Sequence, residues 1–493
     1  MTDSAEQKTV TDPVWMSARE QVAAIRRQDL SSEDLLDMYL ARMARFNGDL
    51  NAIVATDVEA ARARARAADA AAASGESWGP LHGLPMTVKD TFEVVGMPCT
   101  AGAPELADYR PARHATAVER LVEAGAVVYG KTNTPLWAGD LQTYNHVYGT
   151  TNNPWDTTRA PGGSSGGAAA ALASGMTALE LGSDIGGSIR NPASFCGVVG
   201  HKPSFGIVPI RGHIPGPPGS LTGADIGVAG PLARTVDDLE LALDIMAGPD
   251  LFDTPGWNLN LPAPRHEAIR DYRVGVWADD PFCTVDAEVR DLIEGAGDSL
   301  GRAGAKVDMT ARPAVSLAEA HETYYMLLAA ALGGGLPEAV RDRLRKSAPA
   351  ADDKSHMALF TRGAVIDHAG WLDWNERRAK LREVWQRFFG DVDVLLCPVT
   401  PRAAIPHDQQ PDIGKRSVVV NGVDRPYMDM IVWAGLTCGV YLPATVVPVG
   451  RTADGLPVGV QVVANFMEDR TALHVARYLE KSLGGVVSPP GYA

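Results

Sequence analysis

Three reactive side chains sit in glycine-rich turns, and this constrains the chain more than any other feature. Lys89 closes Gly83-Leu84-Pro85-Met86-Thr87-Val88-Lys89-Asp90. Ser164 lies in Gly162-Gly163-Ser164-Ser165-Gly166-Gly167, and Ser188 in Gly182-Ser183-Asp184-Ile185-Gly186-Gly187-Ser188-Ile189-Arg190. Glycine lets backbone N–H groups approach a ligand with no Cβ in the way. A hydroxyl nucleophile needs such donors for the oxyanion that forms when it attacks a carbonyl. It also needs a base, and a lysine whose pKa is lowered by burial can serve. The pattern reads as a serine hydrolase that does not require histidine.

Short apolar runs alternate with helical stretches around these turns. Strands are expected at 84–88, 126–129 and 176–181, with helices at 57–73, 114–124 and 168–174. Such alternation implies an α/β fold whose large, mixed but mostly parallel central sheet is covered on both faces by helices. Residues 1–13 read as a disordered or extended lead-in and 14–493 as a single domain. Within it, 249–390 holds a variable, partly helical insertion that is expected to form a lid or a pocket wall. Residues 333–353, with Gly333-Gly334-Gly335 as a hinge, read as irregular, and 368–389 as a long helix. Strands return at 392–397, 444–449 and 458–463, and a helix at 468–482 closes the chain.

Composition narrows the function classes. A hydrophobic share of 45% over 493 residues suffices for a large core. A formal charge of −15 argues against a phosphate-backbone partner. The five cysteines are odd in number and widely spaced, without a C-x-x-C pair, so neither a disulfide framework nor a zinc site is expected. No metal or cofactor is expected. The N-terminus carries no apolar signal segment and no run of 18 apolar residues occurs, so a cytoplasmic protein without membrane contact is expected.

Each motif also has a plain structural reading. Ser188 is a fitting helix N-cap. Gly162–Gly167 resembles a flexible linker, although an alanine-rich helix follows it at once. Lys89 can be a snorkelling surface lysine or simply the partner of Asp90. No Gly-Lys-Ser/Thr ends either glycine run, which disfavours a phosphate-binding loop.

The conjunction is more specific than any part. Lys89 precedes Ser164 by 75 positions and Ser188 follows by 24. The stretch APGGSSGGAAAALASG…GSDIGGSIRNPASFCGVVGHKP resembles the amidase signature family almost throughout, as do GKTNTP at 130–135, YGTTNNPWD at 148–156 and AGPLARTVDDL at 229–239. The resemblance implies a Ser–cis-Ser–Lys triad: Ser188 as nucleophile, Ser164 on a cis peptide as proton relay, and Lys89 as neutral base. It implies an oxyanion hole from the backbone N–H groups of Ile185, Gly186, Gly187 and Ser188. Ser165, Ser183, Asp184 and Arg190 would support that loop. By position in the family, Leu141, Gln142, Thr143 and Tyr144 would wall the acyl pocket. Ile207, Trp137 and the proline-rich run at 215–218 suggest that this pocket is apolar. His201 departs from the family's usual apolar residue and receives no catalytic role.

The main expectation is therefore a stand-alone, metal-independent amidase acting through an acyl-enzyme. Its substrates would be small aryl or hydrophobic amides, with carbamates and esters as further candidates and no nucleic-acid partner. The oligomeric state stays open, a homodimer included. Two alternatives remain. One is the A-type subunit of a tRNA-dependent amidotransferase, which the insertion and the stretch after His213 do not resemble in local sequence. The other is an α/β-hydrolase esterase, because Gly162–Gly166 satisfies G-x-S-x-G and His407 and His474 lie downstream.

Overall fold

The computed structural model describes residues 12–214, 216, 218–347 and 349–493. Most of the lead-in, residues 1–11, lies outside them; Pro13 already opens a short 3-10 turn, Pro13–Trp15.

Eleven strands form one sheet. In chain order they are Ile53–Thr56 (β1), Pro85–Lys89 (β2), Val127–Thr132 (β3), Leu179–Asp184 (β4), Val199–Lys202 (β5), Val228–Ala233 (β6), Arg273–Val276 (β7), Lys306–Asp308 (β8), Val394–Pro398 (β9), Ala444–Arg451 (β10) and Pro457–Val463 (β11). Their order across the sheet is β1-β3-β2-β4-β6-β5-β10-β11-β9-β7-β8. Parallel pairing joins β3-β2-β4 and β9-β7-β8. Antiparallel pairs connect these two runs through the centre and add β1 at one edge. The result is the expected mixed sheet flanked by helices. Strands β2, β4, β6 and β11 are buried along their whole length, Glu180, Ser183 and Asp184 of β4 included.

Local chemistry accounts for the flanking helices. Ser31 caps Ser32–Leu50 by accepting from the Asp34 N–H at 2.9 Å, with Glu33 and Asp34 in the first turn. Asp57 caps Val58–Ala73, whose Ala61, Ala65 and Ala68 stripe is buried. The arginines of that helix have separate tasks. Arg62 and Arg66 pair with Asp37 and Glu33 at the surface, whereas Arg64 donates to the Ala126 and Val122 carbonyls and lies over Trp78.

The segment 249–390 is more ordered than its sequence suggests. The irregular stretch expected at 333–353 contains a helix, Glu338–Ser347, with no buried residue. It has no apolar stripe to announce it. Arg341 and Arg345 instead pair with Glu338 and Asp342 one or two turns away. Two further helices, Leu317–Gly333 and His356–Gly363, pack on each other and precede the long helix His368–Asp391. A hairpin, Ser417–Val420 with Val423–Pro426, is a further element that the sequence reading does not contain. All five cysteines are free and buried. Among the described residues, no helix is long and apolar enough to cross a membrane.

Candidate active site

Strand β2 delivers Lys89 at its C-terminal end, fully buried. The Lys89 Nζ lies 2.7 Å from Ser164 Oγ and 3.0 Å from Ser183 Oγ. Asp90 is engaged elsewhere: it pairs with the buried Lys131 at 3.4 Å and accepts from the Thr100 hydroxyl. Lys89 is therefore neither a surface lysine nor half of an ion pair with its neighbour. Burial lowers its pKa to about 7, although Asp184 and Glu180 pull the other way. A substantial neutral fraction is thus present near pH 7.

Ser164 stands just before Ser165, the N-cap of helix Gly166–Ala173, and the Gly163–Ser164 peptide bond is cis. The turn is clamped on several sides. Gly163 N–H donates to Asn191 Oδ1 at 3.1 Å, Thr143 Oγ1 donates to the Gly162 carbonyl at 2.9 Å, and Gly166 N–H donates to Thr143 Oγ1 at 3.2 Å. A Cβ on Gly163 would lie 2.6 Å from the Asp140 carbonyl oxygen, so only glycine allows that approach. Ser165 N–H donates to the Ser188 carbonyl at 3.1 Å and ties the two serine turns together.

Ser188 does not cap a helix. Helix Arg190–Cys196 has Ile189 at its N-cap and no side-chain cap bond. Beneath the loop, Arg190 donates to both Asp184 oxygens at 2.9 Å, and this pair is fully buried. Burial alone would raise the Asp184 carboxyl, but the Arg190 guanidinium holds it well below the usual carboxylate range. Arg190 also donates to Thr437 Oγ1 and Gln461 Oε1, both at 2.7 Å. Asp184 accepts the Gly187 N–H at 2.8 Å and the Ile189 N–H at 3.1 Å. This narrows the expected oxyanion hole. Gly187's N–H is committed to Asp184, while those of Ile185, Gly186 and Ser188 have no acceptor among the described residues.

The residues expected to wall the pocket mostly brace it instead. Gln142 exchanges hydrogen bonds with the Asp408 backbone at 2.8 and 2.9 Å. Thr143 holds the Ser164 turn. Tyr144 belongs to a polar cluster in which Arg416 donates to its hydroxyl and to Asp140 Oδ2, both at 2.6 Å, and Tyr427 donates to Asp140 Oδ1 at 2.6 Å. Leu141 packs with Phe195 and Tyr324 in a second apolar cluster. Ile207 is fully buried in the main core, and the Gly248 N–H donates to its carbonyl at 2.8 Å. Pro215 and Pro217 of the proline-rich run lie outside the described residues. His201 is structural, bridging Thr445 and Asp469 at 2.9 and 3.1 Å.

Sequence reasoning missed four further residues near the site. Glu180 on β4 is buried, and burial raises its carboxyl to about 8. His213 is held near pKa 3, first by burial and then by Lys89, and its Nε2 has no partner among the described residues. Arg416 and Tyr427 flank the hairpin, 276 and 287 positions from Asp140. No local motif marks any of them; only the register of β4 with β2, or the fold as a whole, brings them in.

A lysine near neutrality, a hydroxyl in contact with it, a second hydroxyl free of capping duty and a row of open N–H groups thus lie on adjoining turns. The family model described as Amidase matches residues 34–473, and the chain belongs to that family, the amidase signature enzymes. Its members act on C–N bonds. The chain is 36% identical to the A subunit of glutamyl-tRNA(Gln) amidotransferase from Anaeromyxobacter sp. (strain K), over 96% of this chain and 98% of the relative. One solved structure is described as an unexpected vestigial protein complex revealing the evolutionary origins of an s-triazine catabolic enzyme. It superposes with a TM-score of 0.81 at 32% identity, over 96% of this chain and all of the other. A bacterial aryl acylamidase of the family gives a TM-score of 0.80 at 26% identity, over 96% of this chain and 97% of the other.

These relatives correct the stand-alone reading. The same amidotransferase name recurs in Synechococcus and Roseiflexus at 33% and 34% identity, again over nearly the whole chain. It favours the amidotransferase alternative over an isolated small-molecule hydrolase. The expectation of small-molecule partners without nucleic acid is corrected with it. The physical reason is that net charge describes one chain, whereas in an assembly a different chain can carry the basic surface that meets RNA. The esterase alternative also falls, because the partner of Ser164 is a lysine and not a histidine.

Proposed function

We propose that this chain is the amide-cleaving A-type subunit of an amidotransferase that works on glutamyl-tRNA. The observation that carries the chemistry is the fully buried 2.7 Å contact between Lys89 Nζ and Ser164 Oγ. The assembly is inferred from the full-length match to the A subunits of such enzymes. A cytoplasmic setting goes with that reading.

Neutral Lys89 accepts the Ser164 proton as Ser164 Oγ accepts that of Ser188. Ser188 Oγ then bonds to the amide carbonyl carbon, and the carbonyl π electrons move to oxygen. That oxyanion is met by the free N–H groups of Ile185, Gly186 and Ser188. As the tetrahedral adduct collapses, Lys89 returns a proton through Ser164 to the leaving nitrogen. Ammonia departs and an acyl-enzyme remains on Ser188. Water, deprotonated along the same route, attacks the acyl carbon; Ser188 Oγ takes back a proton as it leaves with the bonding electrons, and a carboxylic acid is released. In the assembly the ammonia is consumed by a partner that has activated the glutamyl carboxyl.

The test is ammonia release from glutamine by the chain alone and after co-expression with candidate partner chains. Glutaminase activity that rises on assembly and disappears in Ser188→Ala is expected. Turnover of aryl anilides by the isolated chain, with no glutamine cleavage in any complex, would overturn the proposal.

A further inference from the structure

Tyr324 comes from the insertion, on helix Leu317–Gly333, and is fully buried. Its hydroxyl donates to the Ile185 carbonyl at 3.1 Å. The ring lies against helix Val432–Cys438: a Cβ on Gly435 would come within 2.3 Å of Tyr324 Cε1. On the other side, a Cβ on Gly186 would meet the Tyr324 hydroxyl at 2.6 Å. Two glycines therefore make room for this one side chain. Its helix is tethered one turn earlier, where His321 Nε2 meets His356 Nδ1 at 3.2 Å and His356 Nε2 meets Asp429 Oδ1 at 2.9 Å.

The carbonyl of Ile185 and the N–H of Gly186 belong to one planar peptide unit. In a trans peptide the two groups point in opposite directions. A donor that fixes the Ile185 oxygen therefore fixes where the Gly186 N–H is aimed. Asp184 already holds the next N–H, that of Gly187, so the loop is gripped from beneath by Asp184 and from the insertion side by Tyr324. Between these anchors the Gly186 N–H is left open.

We propose that Tyr324 is a positioning residue that orients the Gly186 N–H as an oxyanion donor, so that the insertion completes the active site. The inference rests on Ser188 being the nucleophile. It adds that a residue outside the glycine-rich segments sets the geometry of the hole.

Tyr324→Phe tests this because it keeps the ring against Gly435 and removes only the hydroxyl. Removing a direct oxyanion donor costs about 10²–10³-fold in rate. Loosening one through its peptide plane is expected to cost about 10–100-fold in kcat on glutamine, with KM held within about twofold. The labelling rate with a fluorophosphonate probe, whose phosphoryl oxygen also enters the hole, should fall by a similar factor without need of a known substrate. The pH midpoint set by Lys89 should not move. Ser188 labelled in the parent and labelled equally fast in Tyr324→Phe would overturn this inference alone. So would kcat and KM changing together with a lowered Tm, which marks a packing role. A parent labelled elsewhere than at Ser188 would overturn both the inference and the nucleophile assignment.

Discussion

The glycine-rich block and the segment 249–390 are built on opposite principles. From 160 to 204 every residue is buried except Ile185, which precedes Gly186-Gly187-Ser188. Polar side chains there are fixed both by near neighbours, Asp184 by Arg190 and the Ser164 turn by Asn191, and by distant ones, Arg190 by Thr437 and Gln461 and His201 by Asp469. Between 249 and 390, by contrast, helix Glu338–Ser347 buries nothing and is held by surface ion pairs, yet the same region sends Tyr324 to the Ile185 carbonyl. Chemistry needs a rigid, dry frame, and the block's burial supplies it. The segment 249–390 contributes through one buried helix while helix Glu338–Ser347 stays at the surface.

That contrast can be broken by substitution. The largest effect is expected at Ser188: Ser188→Ala should lower kcat by about 10⁴–10⁶-fold with the fold intact, read as ammonia release beside an unchanged circular dichroism spectrum. Activity within about tenfold of the parent would remove the block from the chemistry.

Lys89 comes next. Lys89→Ala should cost about 10²–10⁴-fold. In the parent, the active form is neutral lysine, so protonation at low pH removes activity. With its pKa lowered to about 7, kcat/KM should climb about tenfold per pH unit on the acid side and level off on the alkaline side. A flat profile through neutrality would assign the base elsewhere.

Asp184→Asn is expected to act mainly on stability. It leaves Arg190 buried without its counter-charge, and breaking such a pair costs about 3–5 kcal/mol. Urea unfolding measures this, and a loss below about 1 kcal/mol would mean that Thr437 and Gln461 suffice to hold Arg190. The smallest effect belongs to the insertion's outer face. Glu338→Ala, which removes exposed pairs with Arg341 and Arg345, should leave both Tm and kcat unchanged, because exposed ion pairs contribute little. A clear fall in kcat there would show that the outer face is coupled to the site after all.

The readable part of the site is the part made by neighbours in sequence. Lys89, Ser164 and Ser188 stand in glycine turns whose composition reports a close backbone approach, and Asp184 and Arg190 flank the loop that they brace. Strand β2 begins in a short apolar run beside Gly83, and the capped helices carry serine or aspartate at their starts. In each case the signal and the structure it specifies lie within about one turn or strand of each other. Helix Glu338–Ser347 is unreadable for the converse reason: it buries no residue, so it has no apolar period, and the nearby glycine triplet suggests a break.

Sequence alone was enough for the family and the α/β architecture, and it singled out Lys89, Ser164 and Ser188, two of which the structure places in contact. These follow from local steric and hydrogen-bonding demands that only particular residue types meet. Tertiary structure was needed to show that Lys89 contacts Ser164 and Ser183 and not Asp90, that Gly187's N–H belongs to Asp184, that Ile207 is core, and that Glu180, His213, Arg416 and Tyr324 surround the site. Those outcomes depend on which buried groups meet across strands and helices far apart in the chain. Burial then sets their charge, because desolvation is a property of the assembled interior and of no single segment.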